Sequence, residues 1–225
     1  MVNNFDSNKF ADTAWTEKEL IALPEASEPD GLLVPLLPYQ RQGLGWMISL
    51  ENPKLPVNPK DCVQFWSVKQ DKGETVYVND ASQFSTTTPP TLIKGGMLCD
   101  DMGLGKTIQA LSLILHDLNV MKASGSTSPT LVVCPLTLIG NWTGQIDSHF
   151  KDGAITYQVL HGADKDAKLK TIKDFDVTFT TYGASFLSLF VEADLKVHSR
   201  VSSGTVSAAR SLRCNGDVSY SMKPI

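Results

Sequence analysis

The sequence has little of what a disulfide-linked, metal-binding or membrane protein requires. Its 225 residues include four cysteines, which form neither a C-x-x-C pair nor a metal-ligand spacing. We therefore expect free thiols in a reducing compartment, with Cys99 and Cys134 buried because each ends an apolar run. No apolar run reaches the roughly 18 residues of a membrane span, and the N-terminal residues do not resemble a signal peptide. These absences predict a soluble intracellular protein.

Positive charge is also scarce. The chain has 20 lysines and arginines against 24 acidic residues, a net charge of −4. A protein with this balance has no overall basic field to attract nucleic acid, so any affinity for DNA must come from a local groove. The composition, with 42% hydrophobic residues, is globular, and the length suits one domain with irregular extensions.

A glycine-rich segment, residues 94–107, is the strongest chemical signal in the chain. The apolar run before it, residues 97–99, predicts a buried strand, and residues 108–118 predict an amphipathic helix. Between them Gly103 and Gly105 would let backbone N–H groups surround phosphate oxygens without clashes from Cβ atoms. The N-terminus of the helix would add its positive dipole end. Strand, loop and helix together predict a phosphate-binding unit.

The side chains that follow the glycines fit the same chemistry. Lys106 would neutralise the β- and γ-phosphates, and the Thr107 hydroxyl would be a ligand for Mg²⁺. The usual motif begins with a glycine five residues before Gly105, and Asp100 occupies that position here. The alternative is an ordinary strand-to-helix turn with an exposed lysine. The flanking strand and helix favour a nucleotide site.

A glutamine ahead of this loop is the candidate for base recognition. Residues 36–48 predict a helix with Pro38 in its first turn. An amide both donates and accepts hydrogen bonds, so Gln40 could pair with N6 and N7 of adenine. The alternative is a solvated surface glutamine. The position before a phosphate loop favours adenine.

The remaining sequence divides into an arm, one lobe and a tail. Residues 1–35 are polar and acidic, and we expect a disordered arm. Residues 36–195 form the lobe, interrupted by an irregular insertion at residues 51–93 with a hairpin signal at residues 71–73. Residues 196–225 are serine-rich and lack hydrophobic periodicity, so we expect a disordered or aberrant tail.

After the phosphate loop, predicted strands and helices alternate. Strands are expected at residues 130–135, 156–160 and 176–181, and helices at 138–150, 164–173 and on to residue 189. Alternation of this kind predicts an α/β fold in which helices sandwich a parallel sheet. Such sheets bind ligands at the carboxyl ends of their strands.

The order of these segments resembles the first ATPase lobe of the Swi/Snf-type helicase-like family, a single RecA-like lobe with one phosphate loop. The branch that it most resembles is that of the helicase-like transcription factors, which act in post-replication repair, because of Asp100–Asp101 and the insertion with Phe65 and Trp66. The matching segments are residues 37–47 (glutamine motif), 95–107 (phosphate loop), 131–135 with Leu138 and Trp142 (motif Ia), and 176–177 with 180–183 (motif Ic).

The resemblance implies a nuclear, DNA-dependent ATPase that uses ATP and Mg²⁺ and moves along double-stranded DNA, with chromatin or repair factors as partners and no membrane. It implies catalytic roles for Lys106 and Thr107, with Thr107 as metal ligand. It implies cofactor contacts by Gln40, Arg41, Asp101, Met102, Gly103, Leu104, Gly105, Lys106, Thr107 and Ile108, and DNA contacts by Pro135, Leu138, Thr180 and Thr181. The alternative for the two threonines is that β-branched residues simply favour strands.

One element of such an ATPase is not found. A Walker-B Asp-Glu pair should follow motif Ic, but the acids of residues 184–225 are Glu192, Asp194 and Asp217, with no adjacent pair. The second lobe is also missing, so we expect a product truncated before motif II. Two hypotheses follow: the ATP-binding lobe of a DNA-dependent ATPase, or a non-hydrolysing fragment that serves as a nucleotide-binding or interaction module. A kinase is disfavoured because no acceptor-binding lid is found.

Overall fold

The computed structural model describes residues 21–126, 128–162, 165–182, 196–202 and 205–208. Helices and strands alternate through most of this length. In chain order the elements are α1 (Pro38–Glu51), β1 (Trp66–Asp71), β2 (Glu74–Asn79), β3 (Ser85–Thr86), β4 (Gly96–Leu98), α2 (Lys106–Ala123), β5 (Thr130–Val133), α3 (Leu136–His149), β6 (Tyr157–Leu160), α4 (Lys165–Leu169), a 3₁₀ turn (Ile172–Asp174), β7 (Val177–Thr180), β8 (Lys196–Ser202) and β9 (Thr205–Ala208).

The larger sheet has the strand order β4-β9-β8-β5-β7-β6. Strand β5 runs parallel to both β7 and β8, and β6 runs parallel to β7. The predicted α/β fold with a parallel sheet is therefore confirmed. Strand β9 is an antiparallel addition between β4 and β8. Because β4 and β8 are both antiparallel to β9, they run in the same direction as each other. The carboxyl ends of β4, β5, β6 and β7 therefore lie at one edge of the sheet.

Strand β5 is almost continuously apolar, whereas β7 alternates valine and phenylalanine with two threonines. Every residue of β5 and of β7 is buried, as expected for parallel strands with both faces covered. Phe179 of β7 lies 6.1 Å from the Trp142 ring of α3 and 6.0 Å from the Tyr157 ring of β6, between ring centroids. Helix α2 adds Leu111 and Ile114 to the same core. Tight packing on the sheet fixes α2, and α2 in turn fixes the loop that precedes it.

The acidic arm is attached to the lobe where the structure describes it. Leu32 forms a β-bridge with Phe150, and the N–H of Leu33 donates to the His149 carbonyl at 2.8 Å. The N–H of Ala26 donates to the Arg41 carbonyl at 3.1 Å. The expectation of a disordered arm for residues 1–35 therefore does not extend to residues 21–35, which the structure describes. Backbone hydrogen bonds to α1 and to the end of α3, which the polar composition does not reveal, order this segment.

The insertion contains a separate antiparallel sheet with the order β1-β2-β3. Lys72 and Gly73 connect β1 to β2 with φ values of 50° and 88°, the backbone of a two-residue hairpin turn. The hairpin predicted at residues 71–73 is confirmed. Trp66 packs edge-on against Phe84, with ring centroids 6.4 Å apart, so this tryptophan holds the small sheet together.

Several boundaries differ from the sequence prediction. Helix α2 is longer than residues 108–118, and among the described residues of the helix predicted at 164–173, only 165–169 are α-helical. Strands β8 and β9 lie in a segment for which the sequence predicts no regular structure, where β-branched residues favour pairing. The helix expected to reach residue 189, and Glu192, lie outside the described residues. Within the described residues, no helix combines the length and apolarity needed to cross a membrane.

Candidate functional site

The loop between β4 and α2 has the backbone that the glycine pattern predicts. Gly103 and Gly105 adopt φ values of 89° and 74°, a region that residues with a Cβ rarely occupy. A Cβ on Gly105 would also lie 2.5 Å from Nε2 of Gln40. Asp100 is not among the described residues with positive φ, so a side chain is tolerated where the usual motif has its first glycine.

Lys106 is the first residue of α2 and carries the one positive charge between residues 99 and 107. Its Nζ donates to the carbonyls of Asp100 at 2.7 Å and Asp101 at 2.9 Å. The loop thus folds around the ammonium group, which places the cation within the curve formed by the backbone. An anion that entered this curve would replace neutral carbonyl partners with a charged one, which gives a stronger hydrogen bond.

The remaining predicted loop residues line the outside of this curve or begin the helix. Asp101 and Met102 are exposed, Met102 at 90% of its surface, and Leu104 is 38% exposed. Thr107 and Ile108 are half-buried in the first turn of α2. N–H groups in this turn have no acceptor within the helix, so the helix begins with donors directed into the loop.

Gln40 contacts the loop directly, although 64 residues separate it from Leu104. Its side chain is 8% exposed. Nε2 donates to the Leu104 carbonyl at 3.3 Å and to the Tyr39 hydroxyl at 3.5 Å, and Oε1 accepts from the N–H of Leu37 at 2.9 Å. The structure therefore brings the two strongest sequence signals together. It also engages both ends of the amide, so pairing with a base requires these bonds to break.

A second glutamine, which the sequence analysis missed, supports the same loop. Gln109 is completely buried on α2. Its Nε2 donates to the Leu104 carbonyl at 3.4 Å and to Oδ2 of Asp100 at 3.5 Å. One signal could have found it: Gln109 directly precedes the apolar residues 110–111, which suggests that it is buried. A buried amide normally has a specific hydrogen-bond partner.

Arg41 does not reach the loop as the resemblance implies. Its guanidinium pairs with Glu25, with 2.5 Å between Nη2 and Oε2, and lies 3.7 Å from Glu28. Both acids belong to the segment before α1. The arginine thereby ties this segment to α1, and its charge is already compensated.

The four residues predicted to contact DNA differ in accessibility. Pro135 directly precedes α3, so the predicted helix N-terminus after β5 is present, and Leu138 in its first turn is partly buried. The prediction that Thr180 contacts DNA is wrong. Only 5% of Thr180 is exposed, and its Oγ1 donates to the Leu160 carbonyl at 3.1 Å. That hydroxyl joins neighbouring strands and is unavailable to a phosphate. Thr181, one residue further, is half-buried.

Asp176, part of the motif Ic resemblance, lies at the opposite edge of the sheet. It precedes β7, and its Oδ2 accepts from the N–H and the hydroxyl of Thr156, each at 2.8 Å. The hydroxyl of Thr156 lies 3.0 Å from the Asp176 N–H, which donates to it. This reciprocal set aligns the starts of β6 and β7. The role of Asp176 is therefore structural.

The cysteines next to the site differ from each other. Cys134 directly follows β5 and is fully buried, and burial raises the pKa of its thiol to about 11. Cys99 is exposed, so the prediction that it is buried is wrong. The apolar run ends one residue earlier, at Leu98, which is buried.

The Thr107 hydroxyl is the candidate protein ligand for a magnesium ion at this loop. No group of three or more His, Cys, Asp or Glu side chains within the described residues could hold a metal. Mg²⁺ usually keeps several waters and binds substrate phosphates together with one or two protein oxygens. The Thr107 hydroxyl, in the first turn of α2 beside Lys106, fits that limited role.

Comparisons with known proteins agree on one family. A family model described as "SNF2-related domain" matches residues 39–207. DNA repair protein RAD5B of Arabidopsis thaliana is 30% identical over 199 residues, which cover 72% of this chain and 15% of the relative. DNA repair protein RAD5 of Yarrowia lipolytica is 35% identical over 185 residues, which cover 76% of this chain and 16% of the relative. The helicase-like transcription factor of Homo sapiens is 34% identical over 143 residues, which cover 64% of this chain and 13% of the relative.

A solved structure also resembles the chain. The Sulfolobus solfataricus SWI2/SNF2 ATPase core in complex with dsDNA is 25% identical, with a TM-score of 0.43. The similarity covers 71% of this chain and 24% of that one. The present chain thus spans less than a quarter of each of these matched proteins.

Proposed function

Because the chain belongs to the SNF2-related domain family, we propose that it is the ATP-binding lobe of a nuclear, double-stranded-DNA-dependent ATPase that acts in DNA repair or chromatin remodelling. Its relatives are RAD5-type repair proteins and helicase-like transcription factors, the branch that the sequence predicted. One observation carries the proposal. The loop of Gly103 and Gly105 curves around the Lys106 ammonium and has Gln40 packed against it.

This geometry supports the proposed binding of phosphate. Lys106 would exchange the carbonyls of Asp100 and Asp101 for phosphate oxygens, while the first N–H groups of α2 complete the cradle. Thr107 would hold Mg²⁺, which supplies charge neutralisation to the phosphates when bound. Gly103 is favoured by its φ of 89° and not by crowding, since nothing lies within 4 Å of its missing Cβ.

Adenine recognition is assigned to Gln40. Both ends of its amide are satisfied by the protein, so the amide would exchange Leu104 and Leu37 for the base. This exchange loses two hydrogen bonds and gains two, so affinity changes little, but a base with the reversed donor and acceptor pattern cannot complete it. Arg41 is left out of the base contacts because Glu25 holds its guanidinium.

DNA binding is assigned to the shared carboxyl edge of the sheet. The first turn of α3, after Pro135, offers N–H donors to a phosphate, with Leu138 beside them. Thr181 is the remaining threonine candidate, because the Thr180 hydroxyl is bonded to Leu160. Partners beyond DNA, such as chromatin or repair factors, are proposed from the family alone.

A second function is a nucleotide-binding or interaction module that does not hydrolyse ATP. The observation in its favour is that residues 184–225 contain no adjacent Asp-Glu pair to hold the metal and orient water. Phosphate release by the chain, with and without double-stranded DNA, separates the two. DNA-stimulated turnover that disappears in Lys106→Ala supports the ATPase; binding without turnover supports the module.

The proposal is tested by titrating the chain with Mg-ATP. Lys106→Ala should weaken binding by roughly 10-fold to 100-fold, since a charge-assisted hydrogen bond is worth ~1.5–3 kcal/mol. Lys122→Ala is the matched control, because Lys122 is an exposed lysine in the last turn of the same helix. Equal affinity of the parent and Lys106→Ala would contradict the assignment.

A further inference from the structure

The amide of Gln109 is only half satisfied. Its Nε2 has two acceptors on the phosphate loop, at 3.4 and 3.5 Å. Its Oε1 is buried and, within the described part of the chain, has no hydrogen-bond donor. An unpaired buried carbonyl is destabilising, so a side chain of this kind at the centre of a packed helix calls for an explanation outside packing.

The neighbour of Oε1 is the backbone of α1. A Cβ built on Gly43 would lie 2.1 Å from Gln109 Oε1, so any larger residue at this position of α1 would have to displace the Gln109 amide. Gly45, two residues further on the same helix, has no such restriction, since its Cβ would meet atoms at 3.4 Å or more. Gln109 is thus wedged between the helix that carries Gln40 and the loop that carries the phosphate-binding groups.

The Leu104 carbonyl is shared by the two glutamines. Gln40 donates to it at 3.3 Å and Gln109 at 3.4 Å. When Gln40 turns toward a base, Gln109 remains the donor to this carbonyl. Gln109 also holds the Asp100 carboxylate, and the Asp100 carbonyl is a partner of the Lys106 ammonium.

We propose that Gln109 is a positioning residue that fixes the phosphate loop against α1 and keeps Leu104 in place while Gln40 binds the base. This inference rests on the proposed nucleotide site. Gln109 would hold the phosphate loop in its binding conformation without touching the nucleotide. A consequence is that Gln109 affects all nucleoside triphosphates equally, whereas Gln40 discriminates between bases.

The test uses Gln109→Met, which keeps the length of the side chain and removes the amide. In the chain without nucleotide, hydrogen exchange at residues 100–105 should accelerate about fivefold to tenfold, because the Leu104 and Asp100 contacts are lost. Binding of Mg-ATP and of Mg-GTP should weaken by one common factor of about fivefold to tenfold. Gln145→Met, on α3, is the control for loss of a partly exposed glutamine.

A second pair of variants keeps the inference testable if Gln109→Met folds poorly. Gly43→Ala should push the Gln109 amide from its place and accelerate loop exchange, whereas Gly45→Ala should not. Removing the long side chain in Gly43→Ala/Gln109→Ala should restore thermal stability relative to Gly43→Ala alone, but not nucleotide affinity.

The outcomes separate this inference from the proposed function. Unchanged loop exchange in both Gln109→Met and Gly43→Ala would overturn the inference, as would faster exchange with unchanged Mg-ATP affinity. A parent chain that binds no nucleotide would instead refute the proposed function, while the exchange data would still report whether Gln109 holds the loop.

Discussion

Gly105 and Gly153 form a matched pair for separating backbone strain from a contact in the site. Both have a φ of 74°. A Cβ on Gly153, in the turn after α3, meets nothing within 4 Å, whereas one on Gly105 would lie 2.5 Å from Gln40 Nε2 and 3.1 Å from the Ile108 Cγ2. Alanine at either position adopts the left-handed region at a cost of ~1–2 kcal/mol. Only Gly105→Ala also has to move the Gln40 amide.

The additional loss in Gly105→Ala comes from hydrogen bonding, because a flexible side chain can retreat from the new methyl group. Displacing Gln40 breaks its bond to Leu104, worth ~0.5–1.5 kcal/mol. We therefore expect unfolding free energies lower by ~1–2 kcal/mol for Gly153→Ala and ~1.5–3.5 kcal/mol for Gly105→Ala. Mg-ATP affinity should fall about tenfold in Gly105→Ala, because the strained alanine lies in the phosphate loop itself, and stay unchanged in Gly153→Ala, which lies outside it.

Urea unfolding and calorimetric titration of the two variants give these quantities. Equal losses of stability and of affinity in the two variants would contradict both expectations, because neither the Gln40 contact nor the position of residue 105 in the loop would then matter. Loss of affinity in Gly153→Ala would show that strain far from the site propagates to it.

Three further predictions address the base, the core and the thiols. Gln40→Ala should narrow the preference for ATP over GTP in a competition assay, by the equivalent of ~1–3 kcal/mol; a parent that binds both equally rules out base reading. Phe179→Ala should lower the unfolding free energy by ~3–5 kcal/mol in urea, and a loss below ~1 kcal/mol would contradict its central packing. At pH 8, Cys99 should react with a thiol reagent while Cys134 does not, because burial raises the Cys134 pKa to about 11 and its thiolate is scarce below that pH. Equal rates would show that β5 opens readily.

The parts of the fold that the sequence predicted are those with local signals. The hairpin at Lys72–Gly73 follows from turn residues between β-rich runs, β5 follows from a short apolar run, and β7 follows from β-branched and aromatic residues. The phosphate loop is local as well, since its glycines are required by the φ values of its own backbone.

The parts that could not be predicted depend on contacts between distant segments. Nothing near Gln40 indicates that its amide reaches Leu104, and nothing near Thr180 indicates that its hydroxyl serves the neighbouring strand at Leu160. Arg41 resembles a ligand-binding residue until the fold places Glu25 beside it. For Gln109 the apolar residues that follow it in the sequence indicate that the side chain is buried. Its hydrogen-bond partners, in contrast, depend on how α1 and α2 pack together.

The central claim is that the loop between β4 and α2 receives the phosphates of a nucleotide. Hydrogen exchange of the chain with and without Mg-ATP tests it most directly, because it locates binding by residue and requires no turnover. We expect slower exchange at residues 101–108 when Mg-ATP is added to the parent chain, and no such change in Lys106→Ala at the same nucleotide concentration. Protection confined to another part of the chain, or an equal effect in Lys106→Ala, would contradict it.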